Sequence, residues 1–401
     1  MELLLDLRHS LIKNSALLMK IALCLEYPID QHGGTEVLVS ELIRGLSRQH
    51  QIILVSPGNA TTLARSSIGQ LVAEHISIMP NWKSAATARD LAEKIALAKP
   101  DIAHFHFGGV YGWGNRFPFH CPIYFLRRKN IPCLSTIHLV VSILNGYCGE
   151  QKPLWFKLLM LPLAWSGKLQ QLQCVSREIA VSKHDLQKLR RWYWPFRQRF
   201  TQIYHSRLAA IPQMSRRDSK PIILNVGHIA WRKGQHVLVA AFARIAARHP
   251  EWILQLAGPY TESSILQIRD LIEQHRLQNR ILLLGARSDT LELMQRAAIY
   301  VQPSFWEALG LALQEAMSAG CACVGSRAGG IPELIQHEKN GLLVEPGDVE
   351  QLAQALERFI QNQPQREQMG RAAAASIRER GMTAEQMIKH YLELYETVRR
   401  R

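Results

Sequence analysis

Two glutamates lie in an otherwise apolar stretch, SFWEALGLALQEAMSAG, which covers residues 304–320. Glu307 and Glu315 are eight residues apart and are flanked by leucines and a methionine. Because burying an unpaired carboxylate costs several kcal/mol, we expect both side chains to face a ligand. Carboxylates accept hydrogen bonds from vicinal hydroxyl groups, such as those of a ribose or a hexose. Salt-bridged or solvated glutamates are the alternative interpretation.

A second group of residues has the chemistry of a phosphate site. His228, Arg232 and Lys233 stand in the loop HIAWRKGQ, before a predicted helix, and Gly329 and Gly330 stand in SRAGGIPEL, before another. Cations and glycine-rich turns at helix N-termini bind phosphate oxygens. Groups that donate hydrogen bonds to phosphate, beside groups that accept them from hydroxyls, suit a sugar nucleotide. For the Lys-Gly pair taken alone, a solvated basic turn is an equally good interpretation.

Alternating strands and helices must position these residues. The first half contains the apolar runs KIALCLE, QIILVSP, DIAHFHF, CLSTIHL and LQCVS, and the second half contains PIILNVG, WILQLAG, RILLLGA, IYVQPS, ACVGS and GLLVEP. Apolar strands that alternate with helices indicate parallel sheets covered on both faces. Ligands of such sheets bind beyond the carboxyl ends of the strands, where Glu307 and the loop of Lys233 are predicted to lie. The sequence therefore predicts an α/β protein of two doubly wound domains.

The composition is that of an ordinary globular protein, with 47% hydrophobic and 20% charged residues. Seven scattered cysteines indicate a reducing cytosol rather than a disulfide framework, and Cys321 and Cys323 alternate in a predicted strand, so we assign them to the core. No apolar run reaches the ~20 residues of a spanning helix. For the first nineteen residues two interpretations stay open: translated sequence upstream of a start at Met19, or a short amphipathic arm.

The positive charge is concentrated in the first half. Residues 1–215 hold 25 Lys and Arg against 13 Asp and Glu, a balance of +12, whereas residues 216–401 hold 23 against 20, a balance of +3. This asymmetry predicts an anionic partner for the first half, and the candidates are a membrane surface, a phosphorylated acceptor and nucleic acid.

Several segments together resemble one enzyme family. EALGLALQE resembles the E-x7-E motif of retaining glycosyltransferases of family 4, which have the GT-B fold. NVGHIAWRKGQHVLVAAFA resembles the glycine and Lys-Gly segment of that family, and HGGTEVLVSELIRGL, PDIAHFHF and STIH resemble its amino-terminal signatures. The resemblance extends over residues 20–360 and implies two Rossmann-like domains that face a central cleft.

The resemblance also implies domain roles. Residues 20–210 would form the acceptor-side domain and residues 211–380 the nucleotide-sugar donor domain, with a break in the polar segment 206–220. Residues 381–401 would form a helix that crosses back to the first domain, and residues 1–19 would be an N-terminal extension.

Residue roles follow from the same resemblance. Glu315 would accept from the ribose hydroxyls, Glu307 from the donor sugar, and Lys233 would bind the diphosphate, while backbone groups of residues 285–287 would contact the base. The implied donor-binding set is Gly33, Gly34, His228, Arg232, Lys233, Arg287, Glu307, Leu309, Gly310, Leu311, Glu315, Gly329 and Gly330, and the implied catalytic set is His138, Lys233 and Glu307. Without the resemblance, His138 would be read as a structural histidine at a strand end.

Three positions depart from the family pattern. His228 replaces an arginine, Leu309 replaces an aromatic residue and His205 replaces an asparagine. Arg232 is a candidate for the missing positive charge. These departures bear on donor affinity and sugar identity more than on the class of reaction.

No metal or other cofactor is expected. Many glycosyltransferases hold a metal with an Asp-x-Asp motif, but none of the nine aspartates has that spacing. Lys233, Arg232 and helix N-termini would then stabilise the leaving diphosphate. The resemblance implies that the anomeric configuration is retained and that the departing phosphate helps to deprotonate the acceptor.

A basic and aromatic segment, RRWYWPFRQRF, covers residues 190–200. Tryptophan beside arginine is typical of the headgroup level of a bilayer, and PLWFKLLMLPLAW at residues 153–165 adds apolar surface, although both segments could pack on their own domain. We assign His104, His106, Arg190, Arg191, Trp192, Trp194 and Arg197 to the acceptor or membrane side, with the two histidines lining an acceptor cleft rather than binding a metal.

These features leave three candidate functions. The first is a cytoplasmic, metal-independent, retaining glycosyltransferase that moves a hexose-type sugar from a UDP- or GDP-linked donor to a glycan or lipid-linked acceptor. It would act in cell-surface polysaccharide or lipopolysaccharide synthesis at the inner face of the plasma membrane. The second is a sugar-nucleotide epimerase of GT-B type, which leaves the segment at residues 190–200 unexplained. A nucleic-acid-binding protein is the third, and it is disfavoured because the basic residues are dispersed and form no recognised motif.

Overall fold

The computed structural model describes residues 18–29, 34–78, 84–141, 153–208 and 220–400. Gly33 and most of the predicted N-terminal extension therefore lie outside the described residues. Two compact units share the chain. Met1–His138, Ser142–Ile179 and His390–Arg401 belong to the first unit, and Leu139–Val141 and Ala180–Lys389 belong to the second.

The first sheet has seven strands in the order β3-β2-β1-β4-β5-β6-β7. Its strands are β1 (Lys20–Leu25), β2 (Gln51–Ser56), β3 (Glu74–Ser77), β4 (Ile102–Phe107), β5 (Cys133–Ile137), β6 (Arg177–Ala180) and β7 (Phe200–Gln202). β1 pairs in parallel with both β2 and β4, so the strand order reverses between β1 and β4. Loops that diverge at such a reversal leave a crevice at the carboxyl edge of the sheet.

Helices connect these strands. They are α1 (Gly34–Leu46), α2 (Ala60–Ala64), α3 (Ala85–Leu97), α4 (Pro122–Arg128), α5 (Leu154–Cys174) and α6 (Lys183–Trp192). Side-chain caps define several of the starts: Ser84 forms a capping box with Thr87 before α3, and Ser182 accepts from the backbone N–H of Asp185 before α6. Every residue of β4 and β5 is buried, which explains their continuous apolar runs.

The second sheet has six strands in the order β10-β9-β8-β11-β12-β13. They are β8 (Lys220–Val226), β9 (Ile253–Ala257), β10 (Ile281–Gly285), β11 (Ala297–Gln302), β12 (Ala322–Ser326) and β13 (Leu342–Val344). β8 pairs in parallel with β9 and β11, so the order reverses beside β8 as it does beside β1. The loops after β8 and β11 therefore leave the same edge of the sheet side by side.

Helices cover both faces of the second sheet. They are α7 (Gln235–Ala246), α8 (Glu262–Gln274), α9 (Thr290–Arg296), α10 (Leu311–Ser318), α11 (Ile331–Leu334), α12 (Val349–Gln361) and α13 (Gln363–Glu379). The last helix, α14 (Ala384–Arg399), enters the first unit at His390. Neighbouring strand residues such as Ile223 and Leu224 belong to two separate apolar clusters, one on each face. Cys321 and Cys323 are fully buried in one of these clusters, as predicted. The prediction of two doubly wound parallel sheets is confirmed.

The main segment of the second unit begins at Ala180, whereas the sequence predicted a division between residues 210 and 211. Polar contacts explain the difference. The backbone N–H of Lys183 donates to Glu333, and the Arg207 guanidinium donates to Glu315, so the segment after β6 is tied to the second unit. These contacts join residues that are more than a hundred positions apart, and no local pattern in the sequence predicts them.

Candidate active site

The loops after β8 and β11 are held directly against each other. Gly234 has a φ of 72°, and a side-chain carbon at this position would lie 2.0 Å from the carbonyl oxygen of Pro303. Only glycine satisfies both the backbone angle and the close approach. The backbone N–H of Phe305 also donates to the carbonyl of Arg232 at 2.8 Å. Through these contacts the loop that carries Lys233 lies beside the loop that carries the first glutamate.

Lys233 and Glu307 form an ion pair at this junction. The Lys233 Nζ donates to the Glu307 Oε2 at 2.6 Å, and the two side chains are only 15% and 11% exposed. The Gln302 amide and the Ser304 hydroxyl donate to the same oxygen, each at 3.2 Å. These two partners were not predicted, because only their place at the end of β11 distinguishes them in the sequence.

The environment keeps Glu307 ionised. Burial by itself raises the pKa of this carboxyl, but the charge and hydrogen bond of Lys233, the charge of Arg232 and the Ser304 hydroxyl outweigh it. The net pKa of Glu307 is therefore lowered. Glu307 is therefore a charged hydrogen-bond acceptor that is already held in place beside Lys233.

Arg207 pairs with the second glutamate. Its Nη2 donates to the Glu315 Oε2 at 2.7 Å, its Nε donates to Oε1, and it also contacts the Thr290 hydroxyl at 3.3 Å. Glu315 is 4% exposed, so this two-pronged contact compensates a nearly buried carboxylate. Arg207 was missed in the sequence, although it stands in the segment IYHSR, which departs from the family pattern. Both glutamates are thus ion-paired, as the alternative interpretation had it, and the Glu307 pair lies on the loops predicted to bind a ligand.

The predicted glycine turn packs on the backbone of Glu307. Gly329 has a φ of 54°, and a side-chain carbon there would lie 1.6 Å from the Glu307 carbonyl oxygen. The backbone N–H of Gly330 donates to that oxygen at 3.2 Å. Close packing of the two loops is therefore one reason for these glycines, and their predicted approach to phosphate stays a prediction.

The residues between the two glutamates have different environments. Gly310 has a φ of 98° and directly precedes α10, whose first residue, Leu311, is half-buried. Leu309 is 2% exposed and belongs to the apolar cluster on one face of the sheet. Its side chain therefore packs in the core, and any contact of Leu309 with a donor falls to its backbone.

Two other predicted donor-binding residues are exposed. His228 stands directly after Gly227. Its pKa is lowered, mainly by partial burial and further by the charges of Arg232 and Lys233. The histidine that replaces the family's arginine therefore adds no positive charge at neutral pH. Arg287 forms an ion pair with Asp289, with a distance of 2.6 Å from Nη2 to Oδ2.

Of the three predicted histidines of the first unit, His104 and His106 lie on β4 and His138 directly follows β5. The His106 Nδ1 is 3.1 Å from the His138 Nε2, and the backbone N–H of His138 donates to the Phe107 carbonyl. The rings of His104 and His106 have centroids 4.2 Å apart. Burial lowers the pKa values of both His104 and His138 to about 3, with the charge of His138 a smaller contribution at His104. The imidazoles of His104 and His138 are therefore neutral at physiological pH.

His104 does not line an open cleft, which corrects the prediction for this residue. Its side chain is fully buried, its Nδ1 is 2.7 Å from the Tyr395 hydroxyl, and its Nε2 is 2.8 Å from the Thr136 hydroxyl. The Tyr391 hydroxyl is 3.2 Å from the same threonine. Both tyrosines come from α14, whose end belongs to the first unit and covers this strand. His106 is likewise buried.

In the second unit, some residues of the predicted basic and aromatic segment are buried and others are exposed. Tyr193 and Phe200 are buried and Arg190 donates to the Phe200 carbonyl, whereas Trp194 is 70% exposed. Arg191 and Arg197 are exposed and Trp192 is half-buried. Part of this segment thus packs on its own unit, as its alternative interpretation had it.

A buried carboxyl in the second unit was not predicted. Asp185, in the first turn of α6, is 2% exposed. Burial raises its pKa to about 7, Lys188 and the backbone of Val140 oppose this, and the charges of Glu333 and Glu307 add to it. Asp185 therefore changes its charge near neutral pH.

In the part of the chain that the structure describes, no three or more His, Cys, Asp or Glu side chains are grouped as a metal site. The absence of a metal requirement stays a prediction. Within the same described residues, no helix has both the length and the apolar content needed to cross a bilayer.

Two family models match adjacent segments of the chain. Residues 32–206 match the family described as Glycosyltransferase Family 4, and residues 207–376 match Glycosyl transferases group 1. The chain belongs to this family of glycosyltransferases. Its fold class is GT-B, with two Rossmann-like domains, as the resemblance implied.

Individual glycosyltransferases resemble the chain in different parts. The N-acetyl-alpha-D-glucosaminyl L-malate synthase of Bacillus anthracis is 30% identical over 46% of this chain and 47% of the relative. The sulfoquinovosyl transferase SQD2 of Arabidopsis thaliana is 28% identical over 72% and 56%. The chain thus spans about half the length of these relatives. The crystal structure of Anabaena Alr3699/HepE in complex with UDP and glucose has a TM-score of 0.73 and 20% identity, covering 94% of this chain and 99% of that one, which shows the shared fold.

Proposed function

We propose that the protein is a retaining, metal-independent glycosyltransferase that takes a hexose-type sugar from a UDP- or GDP-linked donor. The ion pair of Lys233 and Glu307 carries this proposal. It joins a cation that can bind a diphosphate to an ionised carboxylate that can accept from sugar hydroxyls, where two loops leave the carboxyl edge of the second sheet. The names of the relatives refer to different sugars, so the sugar is left to experiment.

The chemistry requires stabilisation of the leaving group. The bond from the anomeric carbon to the diphosphate oxygen breaks and a bond to the acceptor oxygen forms on the same face, while the acceptor proton passes to the departing phosphate. Negative charge therefore develops on the diphosphate. Lys233 and Arg232 are the cations of this loop, and a well-placed donor lowers such a barrier by ~3–4 kcal/mol.

The acceptor is proposed to be a glycan or a lipid-linked glycan in cell-surface polysaccharide or lipopolysaccharide synthesis. The +12 balance of residues 1–215 supports an anionic partner. A chain with this balance is suited to the inner, anionic face of the plasma membrane, where each Lys or Arg near the surface adds ~1 kcal/mol of attraction. The proposed location is therefore cytoplasmic and peripheral at that face.

Thermal stabilisation by sugar nucleotides tests the donor side of the proposal. The purified chain is melted with a panel of UDP-, GDP- and ADP-sugars, with EDTA present throughout. We expect one donor to raise the melting temperature, because a ligand that binds only the folded state stabilises it. The rise should be lost in Lys233→Met and in Glu315→Gln, and retained in Lys94→Met, which removes an exposed lysine paired with Asp90.

Product analysis then tests the reaction. Proton NMR of the glycoside formed should show the anomeric configuration of the donor sugar. Conversion of the donor into an epimeric sugar nucleotide, with no transfer to any acceptor, would establish the epimerase instead. A folded chain that responds to no sugar nucleotide would refute the proposed donor class.

A further inference from the structure

The helix α5 is turned with its polar side chains inward. Lys168 is fully buried and its Nζ donates to the Glu178 Oε2 at 2.7 Å and to the Gln171 Oε1 at 2.7 Å. Lys157, on the same face, is 8% exposed. Gly167 packs so closely that a side-chain carbon there would lie 2.5 Å from the Asn115 carbonyl oxygen. These contacts fix which face of the helix is covered.

The opposite face of α5 carries large apolar side chains. They are Leu154, Trp155, Leu158, Leu159, Leu163 and Trp165, with exposed fractions of 62%, 67%, 52%, 67%, 39% and 40%. Positions 155, 158, 159 and 163 have the i, i+3, i+4 and i+8 spacing of one helix face. Six of the seventeen large apolar side chains exposed by the described residues thus lie within twelve positions, which makes a patch rather than a scatter. We call these six residues the α5 patch.

Exposed positive charge lies on the helix that packs beside α5. The neighbouring helix α4 contacts α5 and ends in Arg127 and Arg128, and Lys129 follows. All three side chains are exposed. Neither helix contains an aspartate or a glutamate, so no carboxylate of α4 or α5 offsets these charges.

We infer that the α5 patch docks on an anionic lipid bilayer, with α5 lying in the plane of the surface. Leucine and tryptophan enter the boundary between headgroups and acyl chains, and lysine and arginine bind anionic headgroups. α5 is about 31 Å long, and its polar face is already satisfied by protein, so only the outward face meets the lipid. The inference extends the proposed function, since a lipid-linked acceptor is held in such a surface.

Vesicle co-sedimentation of the full chain tests this docking without using catalysis. The vesicles are phosphatidylcholine alone or an equal mixture of phosphatidylcholine and phosphatidylglycerol. We expect binding to the mixed vesicles that weakens with added salt. The double variant Trp155→Gln with Leu159→Gln should lower the bound-to-free ratio at least ~10-fold, because two side chains of the patch lose their apolar contact with lipid. Arg127→Gln with Arg128→Gln should lower binding and its salt dependence together.

The matched control is Leu97→Gln, which replaces a leucine that is 80% exposed at the end of α3, outside the α5 patch. This variant should bind vesicles like the wild type. The inference is overturned if the wild type fails to bind, or if Leu97→Gln and the patch variant lose binding equally. It is also overturned if light scattering shows a wild-type dimer that the patch variant converts to monomer, since a second copy then covers the patch.

The outcome is separable from that of the proposed function. Donor-induced thermal stabilisation should be the same in the patch variant and the wild type. Vesicle binding by a chain that recognises no sugar nucleotide would support the docking surface and contradict the proposed reaction. Binding to an oligonucleotide in preference to mixed vesicles would instead show that the basic surface recognises nucleic acid, and would overturn the inference.

Discussion

Each unit contains a cluster of titratable side chains, and the two clusters respond to burial in different ways. The charged cluster of the second unit comprises Lys233, Glu307, Arg207 and Glu315, which form two ion pairs. The histidine cluster of the first unit comprises His104, His106 and His138, and burial lowers the pKa values of His104 and His138 to about 3. A buried group next to an opposite charge keeps its charge, whereas one among neutral partners loses it.

This contrast separates the chemistry available to the two units. The charged cluster can bind an anion and hold ionised acceptors, while His104 and His138 can offer only neutral hydrogen-bond donors and acceptors at pH 7. An imidazolium at His138 is therefore not part of the chemistry that we expect.

Replacement of Lys233 should have the largest effect. Lys233→Met removes the cation from the diphosphate and leaves Glu307 buried without its main partner. We expect kcat/KM for the sugar nucleotide to fall at least ~100-fold, since a single well-placed donor contributes that much. Steady-state kinetics measures the loss, with Lys94→Met as the surface control. Equal activity of the two variants would show that the charged cluster does not bind the donor.

Replacement of Arg207 should weaken nucleotide binding less. Its guanidinium donates once to each oxygen of Glu315, which leaves one further acceptor site on each oxygen for a pair of ribose hydroxyls. Arg207→Leu should raise the Kd of the nucleoside diphosphate about 10-fold in calorimetry, because the carboxylate loses a charge-assisted partner.

Two controls isolate this effect of Arg207. Arg248→Leu breaks a surface pair with Glu357 and should leave the Kd unchanged. A nucleoside diphosphate that lacks both ribose hydroxyls should bind the wild type and Arg207→Leu with similar affinity. If the loss persists with that analogue, Arg207 does not act through the ribose.

In the histidine cluster, His106 is expected to position His138. Its Nδ1 lies 3.1 Å from the His138 Nε2, so one ring nitrogen donates to the other and the tautomers of the two rings are coupled. If His138 acts as the resemblance implies, His106→Phe should lower kcat about fivefold, the worth of one hydrogen bond, with little change in donor Kd. His106→Asn retains a side-chain amide and should recover part of the loss. Equal kcat values for the phenylalanine and asparagine variants would exclude this role.

Asp185 tests whether an oppositely charged partner, rather than the unit in which a group lies, decides if a buried group keeps its charge. It lies in the second unit, yet burial raises its pKa to about 7. The folded chain therefore binds a proton more tightly than the unfolded chain, and stability falls as pH rises from about 4 to about 7. Asp185→Asn should raise the Tm by a few degrees at pH 8 and leave it nearly unchanged at pH 4, which calorimetry can measure. A constant difference across this range would contradict the raised pKa.

The smallest expected effect is that His104 and His138 do not titrate near neutral pH. The pKa values of His104 and His138 lie below the ordinary value of 6.5, so the stability they contribute is lost only as pH falls from about 6.5 toward 3. Their ring signals in NMR spectra should not shift between pH 8 and pH 5, whereas an unperturbed imidazole, whose pKa is about 6.5, should titrate in this range. A midpoint near 6 for His138 would break the comparison between the clusters.

Local patterns were sufficient to predict the architecture and three of the four residues of the charged cluster. Strand and helix periodicity indicated two parallel sheets, and the rule that ligands bind beyond strand ends selected the loops of Lys233 and Glu307. These features depend on residues close together in sequence. Arg207 was not found because its partner lies 108 residues away and arginine at that position fits no motif.

Long-range covering explains the other differences. His104 was expected at an open surface, but Tyr395, 291 residues later, binds its ring nitrogen. For residues 153–165, at the start of α5, the sequence left exposed apolar surface and packing on the same domain both open. The buried pair of Lys168 and Glu178 directs the polar face inward. Neither outcome follows from periodicity, because each depends on which element packs over another.

Calorimetric titration of the nucleoside diphosphate selected by the donor panel tests the central claim most directly. The wild type, Lys233→Met and His138→Asn are compared in the presence of EDTA. If the charged cluster binds the donor phosphates, Lys233→Met should raise the Kd at least ~10-fold while His138→Asn leaves it nearly unchanged. Weakened binding in His138→Asn with unchanged binding in Lys233→Met would contradict the account.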